Sequence, residues 1–212
     1  MTVSTVSVDS LAIEPSLKYL ITELEELYGQ MDRLYAQKSA HYGFECTGCR
    51  ENCCLTRFYH HTFLEYIYLR KGFAGLPASK QAAARQRAEA YLDVLAKSES
   101  GQNGPPFRRM CPLNESGWCL LYAWRPMICR LHGIPHEFAP PGRSNRVYGE
   151  GCAEFIAACG HLPYSPFDRT PFYVRMSELE GRLRKSLAVS GKSKKTNAHM
   201  LVQDEVPVDA VY

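Results

Sequence analysis

No apolar run in the sequence approaches the length needed to cross a bilayer, which argues against a transmembrane helix. The opening stretch MTVSTVSVDSLAIEPSLKYL has neither a basic start nor a continuous apolar segment, so it does not read as a secretory signal peptide. Strong charge is lacking too. A formal net charge of +3 and a pI near 8.3 are too mild to point to nucleic acid or an anionic membrane surface. No G-x-G-x-x-G or similar glycine run follows a strand pattern, and there is no internal repeat. What remains is a globular composition, 45% apolar and 22% charged, in a chain of 212 residues, enough for one domain with an ordinary core. The expectation is a cytoplasmic protein.

That compartment decides how nine cysteines are read, because cytosolic thiols are kept reduced and disulfides there are rare. The count is odd, and Cys53 and Cys54 are neighbours with alpha carbons about 3.8 Å apart, below the usual disulfide range. The first cluster, Cys46-Thr-Gly-Cys49-Arg-Glu-Asn-Cys53-Cys54, packs four thiols into nine residues. Its C-x-x-C spacing lets a tight turn point two sulfurs at one metal. A second, looser group comprises Cys111, followed by Pro112, then Cys119, Cys129 and Cys152. Together these eight thiols suit one or two metal centres, since thiolate is the preferred ligand of zinc and of clustered iron and four per centre is common. Buried thiols packed as small hydrophobes are the plain alternative, and vicinal reactive thiols are an unusual core filler.

Arg50, Arg57, Arg108, Arg109, Arg125 and Arg130 all lie within a few residues of a cysteine. Four thiolates on zinc leave a net charge of about minus two, which guanidinium groups behind the sulfurs would offset, Arg125 and Arg130 foremost. Nucleic-acid binding is disfavoured, because lysines and aromatics do not interleave densely enough.

Around these cysteines the periodicity is helical. Leu20, Leu24, Leu27, Met31 and Leu34 share one face of a helix over residues 17–40, better suited to core packing than to a coiled coil. Thr62 and Glu65 stand in capping-box spacing before a short helix over residues 63–71, which Gly72 is placed to end. Pro77 and Ser79 open an alanine-rich helix with Ala84, Ala88, Tyr91 and Leu95 on one face, and residues 98–106 read as a linker. Thr170 and Pro171 start a last long helix bearing Phe172, Met176, Leu179, Leu183 and Leu187. The fold class expected is mainly α, with helices framing an irregular cysteine-rich metal-binding core. Residues 1–15 read as a loose arm, residues 16–190 as one domain and residues 191–212 as a mobile tail.

The sequence resembles a bacterial family of cysteine-cluster proteins with a zinc- or iron-chelating domain, over residues 44–155. The resemblance rests on FECTGCRENCC, on TFLEY from Thr62, and on CPLNESGWCLLYAWRPMICR. That last segment matches the family's Cys-Pro (Cys111, Pro112), Gly-x-Cys (Gly117, Cys119), Tyr-x-x-Arg-Pro (Tyr122, Arg125, Pro126) and Cys-Arg (Cys129, Arg130). It departs in having three residues rather than two between Cys49 and Cys53. The resemblance implies metal binding, and related domains occur in a protein methylase associated with a four-iron cluster. It tilts the choice toward an iron–sulfur cluster of four-iron type over zinc, as does the Cys111-Pro112 pair. A redox, electron-transfer or accessory role follows. The alternatives are a structural zinc module that docks a protein partner, and a metal-dependent modifying enzyme, for which no catalytic constellation is evident.

Six further positions are assigned plainer roles. Cys159 reads as a packed thiol, His60 and His61 as exposed, and Trp118 and Trp124 as walls that keep water from the centre. His132, three residues after Cys129, is a substitute ligand or a base toward a cysteine only on weak grounds.

Overall fold

The three-and-four spacing of Leu20, Leu24, Leu27 and Met31 buries all four on one side of a helix. The computed structural model describes residues 3–46, 53–100, 107–142 and 144–209. In chain order its elements are β1 (Val3–Ser7), α1 (Val8–Ala12), α2 (Lys18–His41), α3 (Phe63–Ala74), α4 (Ala78–Ser100), β2 (Asn114–Glu115), β3 (Trp118–Cys119), α5 (Met127–Leu131), β4 (His136–Phe138), β5 (Val147–Gly149), α6 (Ala153–Cys159), α7 (Thr170–Leu187), α8 (Asn197–Val202) and β6 (Glu205–Asp209). The fold is mainly α. Strands among the described residues make three antiparallel pairs, β1 with β6, β2 with β3 and β4 with β5.

Helix α3 is the centre of the packing. It is apolar nearly all round, and Phe63, Leu64, Tyr66, Ile67, Leu69 and Phe73 are each 1% exposed or less, as expected of a helix surrounded by others. It packs against α1, α7 and α8. Thr62 caps it as its spacing predicts, its hydroxyl accepting the Glu65 amide at 3.3 Å. Gly72 does not end this helix, which runs on to Ala74. A Cβ at Gly72 would fall inside the Trp124 indole, so this glycine serves the close approach of that ring rather than a helix stop.

The two chain ends differ most from the sequence reading. Where a loose arm and a mobile tail are expected, β1 and β6 pair in register from Val3 with Asp209 to Ser7 with Glu205. Val206 and Val208 alternate inward in β6, the period of a half-buried strand. Ahead of it, Ala198, Met200 and Leu201 of α8 are fully buried and lie on α4. Thr196 and His199 form a reciprocal cap at the start of α8. Arg70 of α3 fastens the junction. Its guanidinium, 1% exposed, pairs with Asp9 and Asp204 and donates to the Gln203 carbonyl at 3.0 Å.

Replacing Arg70 removes donors from a buried carbonyl and breaks both ion pairs, whose carboxylates are half exposed and can rehydrate. Arg70→Ala is therefore expected to destabilise the fold by about 2–4 kcal/mol in urea titration. Hydrogen exchange should show the loss of protection concentrated in β1, α8 and β6.

Candidate metal centre

The segment from Cys111 to Arg130 folds as a chain of small turns rather than one element. Cys111 donates its amide to the Cys54 carbonyl at 2.8 Å, joining the two cysteine groups through the backbone. Asn114 then turns the chain with its side-chain oxygen accepting the Gly117 amide at 3.1 Å, and the β2 and β3 pair sets Cys119 opposite Asn114. Pro126 precedes α5, which carries Cys129 in its middle.

These turns surround a cavity of about 140 Å³ lined by Cys46, Cys53, Cys54, Cys111, Cys119 and Cys129. Its other walls include Phe58, Tyr91, Trp118, Tyr122, Arg125 and, from the far end of the chain, Thr196 to Ala198. The sulfurs are spread round a volume: among the described residues no three His, Cys, Asp or Glu side chains converge as a single bound ion would require. Of the sequence-predicted ligands, Cys49 lies outside the described residues. Cys152 is not part of the lining. It caps α6, its sulfur accepting the Phe155 amide at 3.4 Å, and shares with Cys46 and Cys53 the neighbourhood of Tyr35. Cys159 is buried against the Tyr42 carbonyl, 3.5 Å from its sulfur, as expected of a packed thiol. No disulfide joins any two of the eight cysteines among the described residues.

The electrostatics of the lining are those of thiols that cannot all ionise together. Hydrogen bonds from Cys111 and Cys53 hold the Cys54 thiol far below its usual range, and the same bonds, with burial, push Cys53 and Cys111 up. Burial raises Cys119 to about 11, and Cys129 higher still. Taken together the set favours one thiolate shared among protonated neighbours.

Arg125 and Arg130 part ways. Arg125 lines the cavity, stacks on Tyr122 with its guanidinium 3.7 Å from the ring centre, and lowers the thiol of Cys119 by its charge. Arg130 turns from the cavity. It donates to Asp32 at 2.5 Å, to the Arg125 carbonyl at 2.8 Å and to the Ala123 carbonyl, over the face of Tyr28. Asp32 also takes Arg125 at 3.3 Å, so one α2 carboxylate balances both cations. Trp118 lines the cavity and is 62% exposed at its mouth, whereas Trp124 packs on Tyr68 and Gly72 behind it.

Two polar residues of the site have no sequence signal. His60, expected to be exposed, is 2% exposed because its backbone pairs with Lys195 through hydrogen bonds of 2.8 and 3.0 Å. Asn197 heads α8 and donates to the Cys111 sulfur at 3.5 Å. His60 and Asn197 are close neighbours whose side chains interact in the buried layer behind Cys111. Only a capping motif, Thr196 to His199, marks this segment in the sequence.

No protein-family model, curated protein or solved structure matches the chain.

Burial lowers His60 to about 3 and His136 to about 4, against 6.5 for an ordinary histidine. Such groups contribute stability above the unfolded value, lost as pH falls from 6.5 toward the folded one, because the unfolded chain takes the proton first. Metal-stripped protein is therefore expected to lose stability between pH 6.5 and about 4, and His60→Gln to flatten that loss by up to about 1.4 kcal/mol per pH unit. Urea titrations of both proteins across this range check it; parallel profiles would contradict it.

Proposed function

We propose that the protein binds a metal centre in the cysteine-lined cavity, an iron–sulfur cluster of four-iron type in preference to zinc, and serves a redox, electron-transfer or accessory role in the cytoplasm. One observation carries the reading: six thiols from stretches far apart in sequence line a single cavity. Chance burial of small hydrophobes does not gather thiols in this way, and the vicinal and C-x-x-C arrangement is that of ligands. The donor chemistry fits. Thiolates are the common ligands of such clusters, and a volume of about 140 Å³ exceeds what one ion or one water, at about 30 Å³, takes up.

In this reading Cys46, Cys53, Cys54, Cys111, Cys119 and Cys129 supply the ligand set, with Cys49 and Cys152 as the further candidates. When bound, the cluster would supply one-electron chemistry. The protein's own groups orient and shield it. Asn197 donates toward one sulfur, Arg125 sets positive charge beside Cys119, and Phe58, Tyr91 and Leu113 keep the walls dry. Trp118 and Tyr122, exposed at the mouth, offer a surface for a protein partner. Among the described residues no helix is long and apolar enough to cross a membrane.

Anaerobic purification followed by visible absorption and elemental analysis for iron, acid-labile sulfide and zinc on one sample tests this. The expected result is a brown protein with iron and sulfide in near-equal amounts, whose melting temperature falls on removal of the metal, because ligands gathered from distant stretches couple binding to folding. A colourless protein with stoichiometric zinc would replace the redox role with a structural one. Absence of any metal would overturn the proposal.

A further inference from the structure

Among the described residues three arginines are buried, and two of them are matched by carboxylates. Arg70 has Asp9 and Asp204, and Arg130 has Asp32. Arg169, 2% exposed at the start of α7, has no ion pair among the described residues. Its Nη2 donates to the Leu131 carbonyl, its guanidinium carbon lies 5.3 Å from the centre of the Phe167 ring, and its Nε is buried with no partner. The adjacent carboxylate, Asp168, is taken by Arg146 at 3.0 Å and by Thr170. A lone buried cation is costly, and burial lowers Arg169 to about 10.

The position of this charge is informative. Leu131, which accepts from it, closes α5 two residues after Cys129. The turn that follows, His132 and Gly133, is bonded to Cys152 on its other side. Gly133, at φ +124, faces the Tyr35 hydroxyl, and its carbonyl accepts the Cys152 amide at 2.8 Å. His132 lies within electrostatic reach of both Arg169 and Cys54. Tyr35 lies within reach of Arg169 and of Cys46, Cys53 and Cys152. The guanidinium thus stands behind the end of the helix that carries Cys129, across the turn from Cys152.

We propose that Arg169 is the built-in countercharge of the centre: a positioning residue whose unpaired guanidinium offsets the negative charge of the metal–thiolate set and holds the end of α5 through the Leu131 carbonyl. This rests on the metal reading above. A site of four thiolates is anionic with zinc and with a four-iron cluster alike, and Arg125 and Arg130 share a single carboxylate, Asp32. Among the described residues Arg169 is the fully buried guanidinium that no carboxylate balances.

The test rebuilds the centre anaerobically with ferrous iron and sulfide in the full-length chain, reads it by visible absorption, and sets its retention by competition against an iron chelator. Arg169→Met should lose the centre to the chelator about 10-fold more readily, the range for residues behind metal ligands. Arg169→Lys, which keeps the charge, should stay within about threefold of wild type on the same scale. The rise in melting temperature on metal binding should shrink in Arg169→Met and persist in Arg169→Lys. A purely structural role would lower stripped and loaded forms alike, leave that rise unchanged, and overturn the proposal, as would wild-type affinity in Arg169→Met. A wild-type protein that takes up no metal would sink the underlying reading and this inference with it, so the two failures are distinguishable.

Discussion

Three donors from separate parts of the chain converge on the buried carboxylate of Glu65: the Tyr28 hydroxyl at 3.0 Å, the Thr62 hydroxyl at 2.7 Å and the Met127 amide at 2.7 Å. Burying a carboxylate costs several kcal/mol, and hydrogen bonds to a charged acceptor, at about 1.5–3 kcal/mol each, offset it. What this contributes is placement. Helix α5 has only five residues, too few to hold together alone, and its first amide is the one Glu65 accepts. Arg130, on the same short helix, is tied to Asp32 of α2. Cys129 therefore sits on a segment clamped between α2 and α3, and its sulfur reaches the cavity because two carboxylates on other helices fix the backbone beneath it.

The same logic extends outward. Glu180 of α7 accepts the Leu64 amide at 3.1 Å, so the first turn of α3 is also satisfied by a carboxylate from another helix. The chain ends close the arrangement. Pairing of His60 with Lys195 and of β1 with β6 draws the head of α8 over the thiols, and Asn197 comes with it. A rigid apolar frame thus holds an irregular polar centre whose thiols repel one another as they ionise. The centre, in our reading, is completed by a ligand.

The helices were legible because each buries a stripe whose spacing is local. Thr62 with Glu65 marked the true start of α3, and Ala84, Ala88, Tyr91 and Leu95 are the buried residues of α4. Gly72 misled because glycine that admits a neighbouring ring looks in sequence like glycine that ends a helix. The terminal strands escaped notice since each is five residues long and finds its partner about two hundred residues away. In the site, the cysteines announced themselves by spacing, while Asn197, buried His60 and Arg169 did not. Their roles come from contacts across the chain, and nothing in their immediate sequence differs from an exposed polar residue. Arg130 was read as a partner of the sulfurs because it follows Cys129; the partner it takes, Asp32, lies on α2, where only the apolar face had been informative.

The account stands on the claim that the lining thiols enclose one centre. Alkylation of native protein, with and without removal of metal, followed by mass spectrometry of each cysteine, tests it most directly. The expected result is that Cys46, Cys53, Cys54, Cys111, Cys119 and Cys129 are protected together in the loaded protein and become reactive together on stripping, while Cys159 stays protected in both. Cysteines that react independently of one another, or at rates the metal does not change, would contradict it.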